Sequence, residues 1–283
     1  MNTKLNFKNV ISTTLDYYKV NWKNISLYSF YYILASLVAG IASGILAGIT
    51  FGITIATSNT EKINSISKKF FPTNNIDSRD ISTMVAPKLT ESEISFLWSQ
   101  GFILFAIIIF IILIVTLIIF PFMVNLYDSI IKLTEDKEVK YFSFDKNYIR
   151  IFLTTLLNSV IVGVGYIFFI IPGIYLTFRL YPMTIIAIKE NLSPVEAMNK
   201  AFSLTKGNFW NIVLSAFLPG LIYGILLVTL LSLLEKSGLS SFVQIIISVF
   251  AVGFFVLLDI NIYKKLINSD QEMITPKPII EVV

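Results

Sequence analysis

"FLWSQGFILFAIIIFIILIVTLIIFPFMVNLY" fills residues 96–127 and contains no Asp, Glu, Lys or Arg. About 20 apolar residues in a helix cross a bilayer's hydrocarbon core. This run is longer than that, and it has no charge that a soluble helix would turn to water. It reads as a transmembrane helix. Five more segments read the same way, at 25–57, 151–171, 174–188, 209–234 and 241–263. The first is about 50 Å long as a helix, so it must tilt, kink or project from the membrane. The fourth is short for a full span and leaves a re-entrant alternative.

Composition agrees. The chain has 283 residues, of which 55% are hydrophobic and 14% charged. Its mean hydropathy is +0.76. Soluble domains carry roughly 25% charged residues, so this chain lacks the polar surface to cover a water-soluble body. It has no cysteine, which removes disulfides, thiolate nucleophiles and Cys-based metal sites. It has no histidine, which removes imidazole acid–base chemistry and the commonest metal ligand. A net charge of +4 reads as basic loops flanking spans, and no nucleic-acid partner is expected. The start, "MNTKLNFKNV", has no apolar core or cleavage site and does not read as a cleaved signal peptide.

Lys and Arg fall mainly in loops on one side of the six-span path, including Lys4, Lys8, Lys132, Arg150, Lys200 and Lys264. Basic loops stay inside. The expectation is a multi-pass protein of the cell membrane with both termini cytoplasmic. The fold class is all-α: a polytopic bundle with two amphipathic helices at the interface.

An internal repeat is visible. "LDYYKVNWKNI" at 15–25 aligns without a gap with "FSLTKGNFWNI" at 202–212. Lys19 pairs with Lys206, Asn21 with Asn208, Asn24 with Asn211 and Ile25 with Ile212. "NLY" ending at Tyr127 is matched by "NIY" ending at Tyr263. Each copy reads as amphipathic helix, span, span, and both start on the same side, which makes the repeat parallel. The divisions are 1–148, a hairpin at 149–188, a second half at 189–268 and a tail at 269–283. Similar demands at two membrane boundaries are the competing explanation.

Local signals punctuate this plan. Pro172-Gly173 reads as the turn of the hairpin. Pro121, Pro182 and Pro219 should kink their segments. "SPVE" is a capping box, with Ser193 the cap, Pro194 first in the helix and Glu196 reaching back. Val195, Met198, Ala201 and Phe202 line one face, and Gly207 closes the helix in the left-handed conformation. The first amphipathic helix covers about 7–18, with Val10, Ile11, Thr14 and Leu15 on one side. Both are expected in the interface plane, with partner docking the alternative.

"IIPGIYLTFRLYP" followed by "KENLSPVEAMNKAFSLTKGNFWNI" resembles a family of multi-pass bacterial and archaeal proteins. It is similar to the membrane domain ahead of the catalytic barrel in some glycerophosphodiester phosphodiesterases, and to related stand-alone membrane proteins. Pro172, Gly173, Arg179, Glu190, Lys206, Gly207 and Trp210 carry the likeness. It covers 170–212 closely and the rest in layout. The resemblance implies membrane-domain architecture. It does not imply diesterase activity, because that barrel needs paired histidines and metal-binding carboxylates.

Two features could carry function. Gly40, Gly44, Gly48 and Gly52 form a small-residue stripe. In lipid such stripes let helices approach, so bundle packing or a homodimer is expected, with a solute path the alternative. Arg179, Glu190 and Asp259 form the candidate polar site. Ionisable residues in spans are costly and face the bundle or a water-filled cavity. Arg179 could hold a lipid phosphate or an anionic solute, or make a structural pair with Glu190 or Asp259. Asp259, a turn from Lys264, could snorkel. "EDKEVK" at 135–140 reads as a solvated loop rather than a metal site. No catalytic residue, metal or cofactor is expected. The functional expectation is a non-enzymatic membrane protein binding lipid or a protein partner as a scaffold or regulator. The alternatives are a small transporter or channel with its cavity near Arg179, or a lipid-modifying enzyme.

Overall fold

The structure, a computed structural model, describes residues 5–57, 64–68, 89–137, 139, 147–234 and 239–274, with side chains except at 51–57 and 270–274. Most of the 58–95 loop, part of the 135–140 run and most of the tail lie outside the described residues. Those that are described hold no strand. The helices of eight residues or more are α1 (Phe7–Thr57), α2 (Glu91–Leu133), α3 (Tyr148–Phe168), α4 (Ile170–Arg179), α5 (Met183–Glu190), α6 (Pro194–Leu204), α7 (Phe209–Leu234) and α8 (Ser240–Ile274). Six stretches among the described residues are long and apolar enough to cross a membrane, α4 and α5 together counting as one. The chain is an all-α polytopic membrane protein. Helices suit this setting because every backbone group is satisfied within the segment.

The chain divides into two compact units, one of Met1–Ala35 with Phe120–Val283 and one of Ser36–Ile119. These borders differ from those of the repeat. In the smaller unit α2 begins at a capping box. Thr90 N–H donates to Glu93 Oε2 at 2.8 Å, and Glu93 N–H to Thr90 Oγ1 at 3.4 Å. The helix thus starts ahead of the apolar run at 96–127. A methyl group built at Gly40, Gly44 or Gly48 meets no atom within 4 Å among the described residues. The surroundings of Gly52 lie outside the described residues.

In the larger unit the hairpin turns three residues before the Pro-Gly pair. Phe169 alone is extended, at φ −159° and ψ 143°, and both Pro172 and Gly173 lie inside α4. This corrects the turn expected there. Proline fits the first turn of a helix, where its missing N–H had no acceptor to lose. The glycines work by close approach instead. A Cβ on Gly165 would stand 2.8 Å from Leu176 Cδ1, and one on Gly173 2.5 Å from Tyr166 Cγ.

The fourth span is broken. It stops at Arg179 and resumes at Met183. Leu180 N–H closes on Leu176 O at 2.9 Å, and Met183 N–H on Leu180 O at 2.9 Å. Pro182 cannot donate and disfavours helix in the residue before it, so the break falls at "LYP". Pro121 and Pro219 lie inside helices that continue through them.

α5 sits in the middle of the core. Met183, Ile185, Ile186, Ala187 and Ile188 are all buried. Ile25, Ile130, Ile151, Ile212, Leu257 and Leu258 belong to the same cluster and are fully buried. At the end of α5 Asn191 takes the left-handed conformation, φ 55°. The Arg150 guanidinium caps that end, donating from Nη1 to Asn191 O at 2.6 Å and from Nη2 to Asn191 Oδ1 at 2.5 Å. A cation suits a helix C-terminus, where carbonyls are unpaired and the dipole is negative.

The aligned segments 15–25 and 202–212 differ in backbone at the Gly207 position. In the second repeat copy, the Ser193–Glu196 capping box forms. Gly207, at φ 79°, separates α6 from α7. In the first, Val20 stands at the aligned position and α1 runs unbroken from Phe7. The separate interfacial helix expected over 7–18 is therefore the start of α1, since a β-branched residue does not readily take a positive φ. Val10 and Thr14 of that stretch are fully buried, and Leu15 is exposed. On α6 the buried face is Ala197, Ala201 and Leu204, while Val195 is exposed. Ile25 and Ile212, aligned in the repeat, are both fully buried.

Candidate functional site

Arg179, Glu190 and Asp259 do not meet. No hydrogen bond or ion pair among the described residues joins any two of them, and each has its own setting.

Glu190, the last residue of α5, is paired on both oxygens. It accepts from Lys200 Nζ at 2.5 Å on one oxygen and from Tyr263 Oη at 2.6 Å on the other. Lys189 next to it lies 5.6 Å from the Tyr263 ring centroid and pairs with Glu135 at 2.7 Å. Glu135 also pairs with Lys137 at 2.6 Å. Hydrogen bonds from Lys137 and then Lys189 hold the Glu135 carboxyl down to about 2. Within "EDKEVK" the described part is thus an ion-paired corner. No group of three acidic side chains able to hold a metal forms among the described residues.

Asp259 turns inward. Tyr127 Oη donates to its Oδ2 at 2.7 Å, and Tyr181 Oη donates to Oδ1. Tyr181 comes from the break between α4 and α5, which releases it from helical register. The snorkelling expected of Asp259 does not occur. Lys264, its nearest basic neighbour in sequence, donates instead to Thr134 O at 3.0 Å. Asp259 lines an open cavity of about 310 Å³ together with Tyr32, Tyr127, Tyr223 and Phe255. Arg179 is not among the residues that line it.

Arg179 ends α4. Its guanidinium carbon is 5.4 Å from the Phe202 ring centroid and 5.8 Å from that of Tyr175. Nε is buried without a hydrogen-bond partner. The guanidinium makes no ion pair among the described residues, so the pairing considered with Glu190 or Asp259 is absent. Its backbone is fixed: the Thr205 hydroxyl lies 3.0 Å from Arg179 O. Phe209 stacks on Tyr175 at 5.3 Å, and the exposed Trp210 lies 5.3 Å from Phe209.

No family model, curated protein or solved structure matches the chain.

Tyr127, Tyr181 and Tyr263 carry no motif that marks a site. Two of them share one signal: Tyr127 and Tyr263 end the matching "NLY" and "NIY", and each phenol donates to a carboxylate on another helix.

Proposed function

We propose that this chain is a non-enzymatic, multi-pass protein of the cell membrane that binds membrane lipid through its phosphate, as a scaffold or regulator. The observation that carries the reading is Arg179. A partly buried guanidinium without an acceptor is costly, and a planar fork of N–H donors matches a phosphate bidentately. The rings of Tyr175 and Phe202 hold the fork by cation–π contact without using its donors. Trp210 beside this cluster suits a headgroup-level position.

Native mass spectrometry of protein extracted gently from its own membrane tests this. Wild type should retain an anionic phospholipid at fixed stoichiometry. Arg179→Leu should lose it, and Arg179→Lys should retain less, since ammonium is a point charge. Equal retention in all three overturns the reading. A retained second polypeptide would move the scaffold role to a protein partner.

A second reading, a small transporter, has one specific support. The break at 180–182 interrupts a span, and broken helices line substrate paths in carriers. Solute flux in liposomes that is lost in Arg179→Leu would favour it. The topology, with both termini cytoplasmic, is tested by single cysteines at 58–95 and 128–148, which should label from opposite sides.

A further inference from the structure

The Asp259 cavity has a chemistry of its own. Its carboxylate meets no Lys or Arg among the described residues; the two groups that reach it are phenols. An ionised carboxylate accepts at about four lone-pair positions, and Tyr127 and Tyr181 take two. An ionised Asp259 gives the cavity a negative charge that no basic side chain among the described residues offsets.

The walls complement that charge. Tyr32, Tyr127, Tyr223 and Phe255 line the same space, and the rings of Tyr223 and Phe255 pack edge to face at 5.5 Å. Aromatic faces attract cations, most of all alkylated ammonium groups that shed water easily. A small hydrated metal ion would want several oxygen ligands instead. At about 310 Å³ the space is at the small end of ligand pockets, enough for a head group and not for acyl chains.

We infer that the cavity between α1, α2, α7 and α8 binds an alkylammonium group, with Asp259 as counter-ion and the tyrosine rings as its cage. The group is either a free quaternary ammonium ion such as choline or the head of a choline lipid. The site is separate from Arg179 and does not depend on the reading given to that residue.

The test uses the full chain in maltoside micelles. Saturation-transfer NMR with tetramethylammonium and with choline reads the free cation. Native mass spectrometry after equilibration with phosphatidylcholine or phosphatidylglycerol reads the lipid. Saturation transfer with competition by choline assigns a free-cation site; retention of phosphatidylcholine alone assigns a headgroup site. Asp259→Asn should weaken binding about tenfold. Tyr223→Leu, which leaves the Asp259 hydrogen bonds untouched, should weaken it about threefold or more, and it decides the matter if Asp259→Asn fails to fold. Absence of both signals, or affinity unchanged in Tyr223→Leu, overturns the proposal.

Discussion

Tyr127 on α2 donates its phenol proton to Asp259 on α8, 132 residues further along the chain, at 2.7 Å. Hydrogen bonds between helices in membranes average about 0.6 kcal/mol, with a ceiling near 1.7. Tyr127→Phe keeps the ring and removes the donor. It should lower stability by about 0.6–1.7 kcal/mol while the protein stays monodisperse. SDS-titration unfolding in mixed micelles measures this; a shift of zero would mean that the bond contributes nothing.

Gly253 and Gly44 should behave in opposite ways. A Cβ at Gly253 would stand 2.5 Å from Ile25 Cγ2 and from Ser29 Oγ, whereas one at Gly44 meets nothing within 4 Å. Gly253→Ala should destabilise by about 1–3 kcal/mol through overpacking. Gly44→Ala should be neutral or raise stability by up to about 1 kcal/mol through helix propensity. Melting temperatures of the two variants check the contrast. If the stripe instead joins two copies, Gly44→Leu will convert a dimer to a monomer in light scattering.

The Arg150 cap on α5 gives a third prediction. Arg150→Met removes donors from Asn191 O, Asn191 Oδ1 and Ala187 O. A charged cap of this kind is worth about 1–3 kcal/mol. Asn191→Ala forces a β-carbon into the left-handed region at φ 55° and should also destabilise. Asn191→Gly should recover the backbone term but not the side-chain acceptor. Thermal unfolding that ranks glycine above alanine supports the backbone account, and the reverse order refutes it.

Acid stability should respond to Glu135. Its carboxyl is held at about 2, against 4.5 unperturbed, by Lys137 and Lys189. A depressed carboxylate stabilises the folded state above the unfolded value and stops doing so as pH falls through the folded one. The contribution should therefore be lost between pH 4.5 and about 2. Melting temperatures across that window should fall more steeply for wild type than for Glu135→Gln. Parallel curves would show that the pairs add no net stability.

Much of the architecture was legible because membrane helices are written in long apolar runs, and the Ser193–Glu196 box because its side chains bond locally. The hairpin turn was not legible. Nothing about Phe169 marks it, and the turn is placed by Gly165 and Gly173 letting two helices close on each other. The break at Tyr181 was partly legible from Pro182. Its consequence was not, because the sequence does not say that Tyr181 reaches a carboxylate 78 residues away. Asp259 reads as an intramembrane residue that could snorkel, for the same reason. Lys264 and Lys265 follow it within two turns in sequence, whereas the groups that reach its carboxylate in space are tyrosines.

The central place of α5 bears on how the protein is made. Eight residues are too few to cross a bilayer unaided, so α5 must enter the membrane with α4. Its apolar surface then waits for α8, which is synthesised later and supplies Leu257, Leu258 and Tyr263 to the same core. Until that helix leaves the translocon, α5 is packed on α3 and α6 and the core cluster lacks its last members.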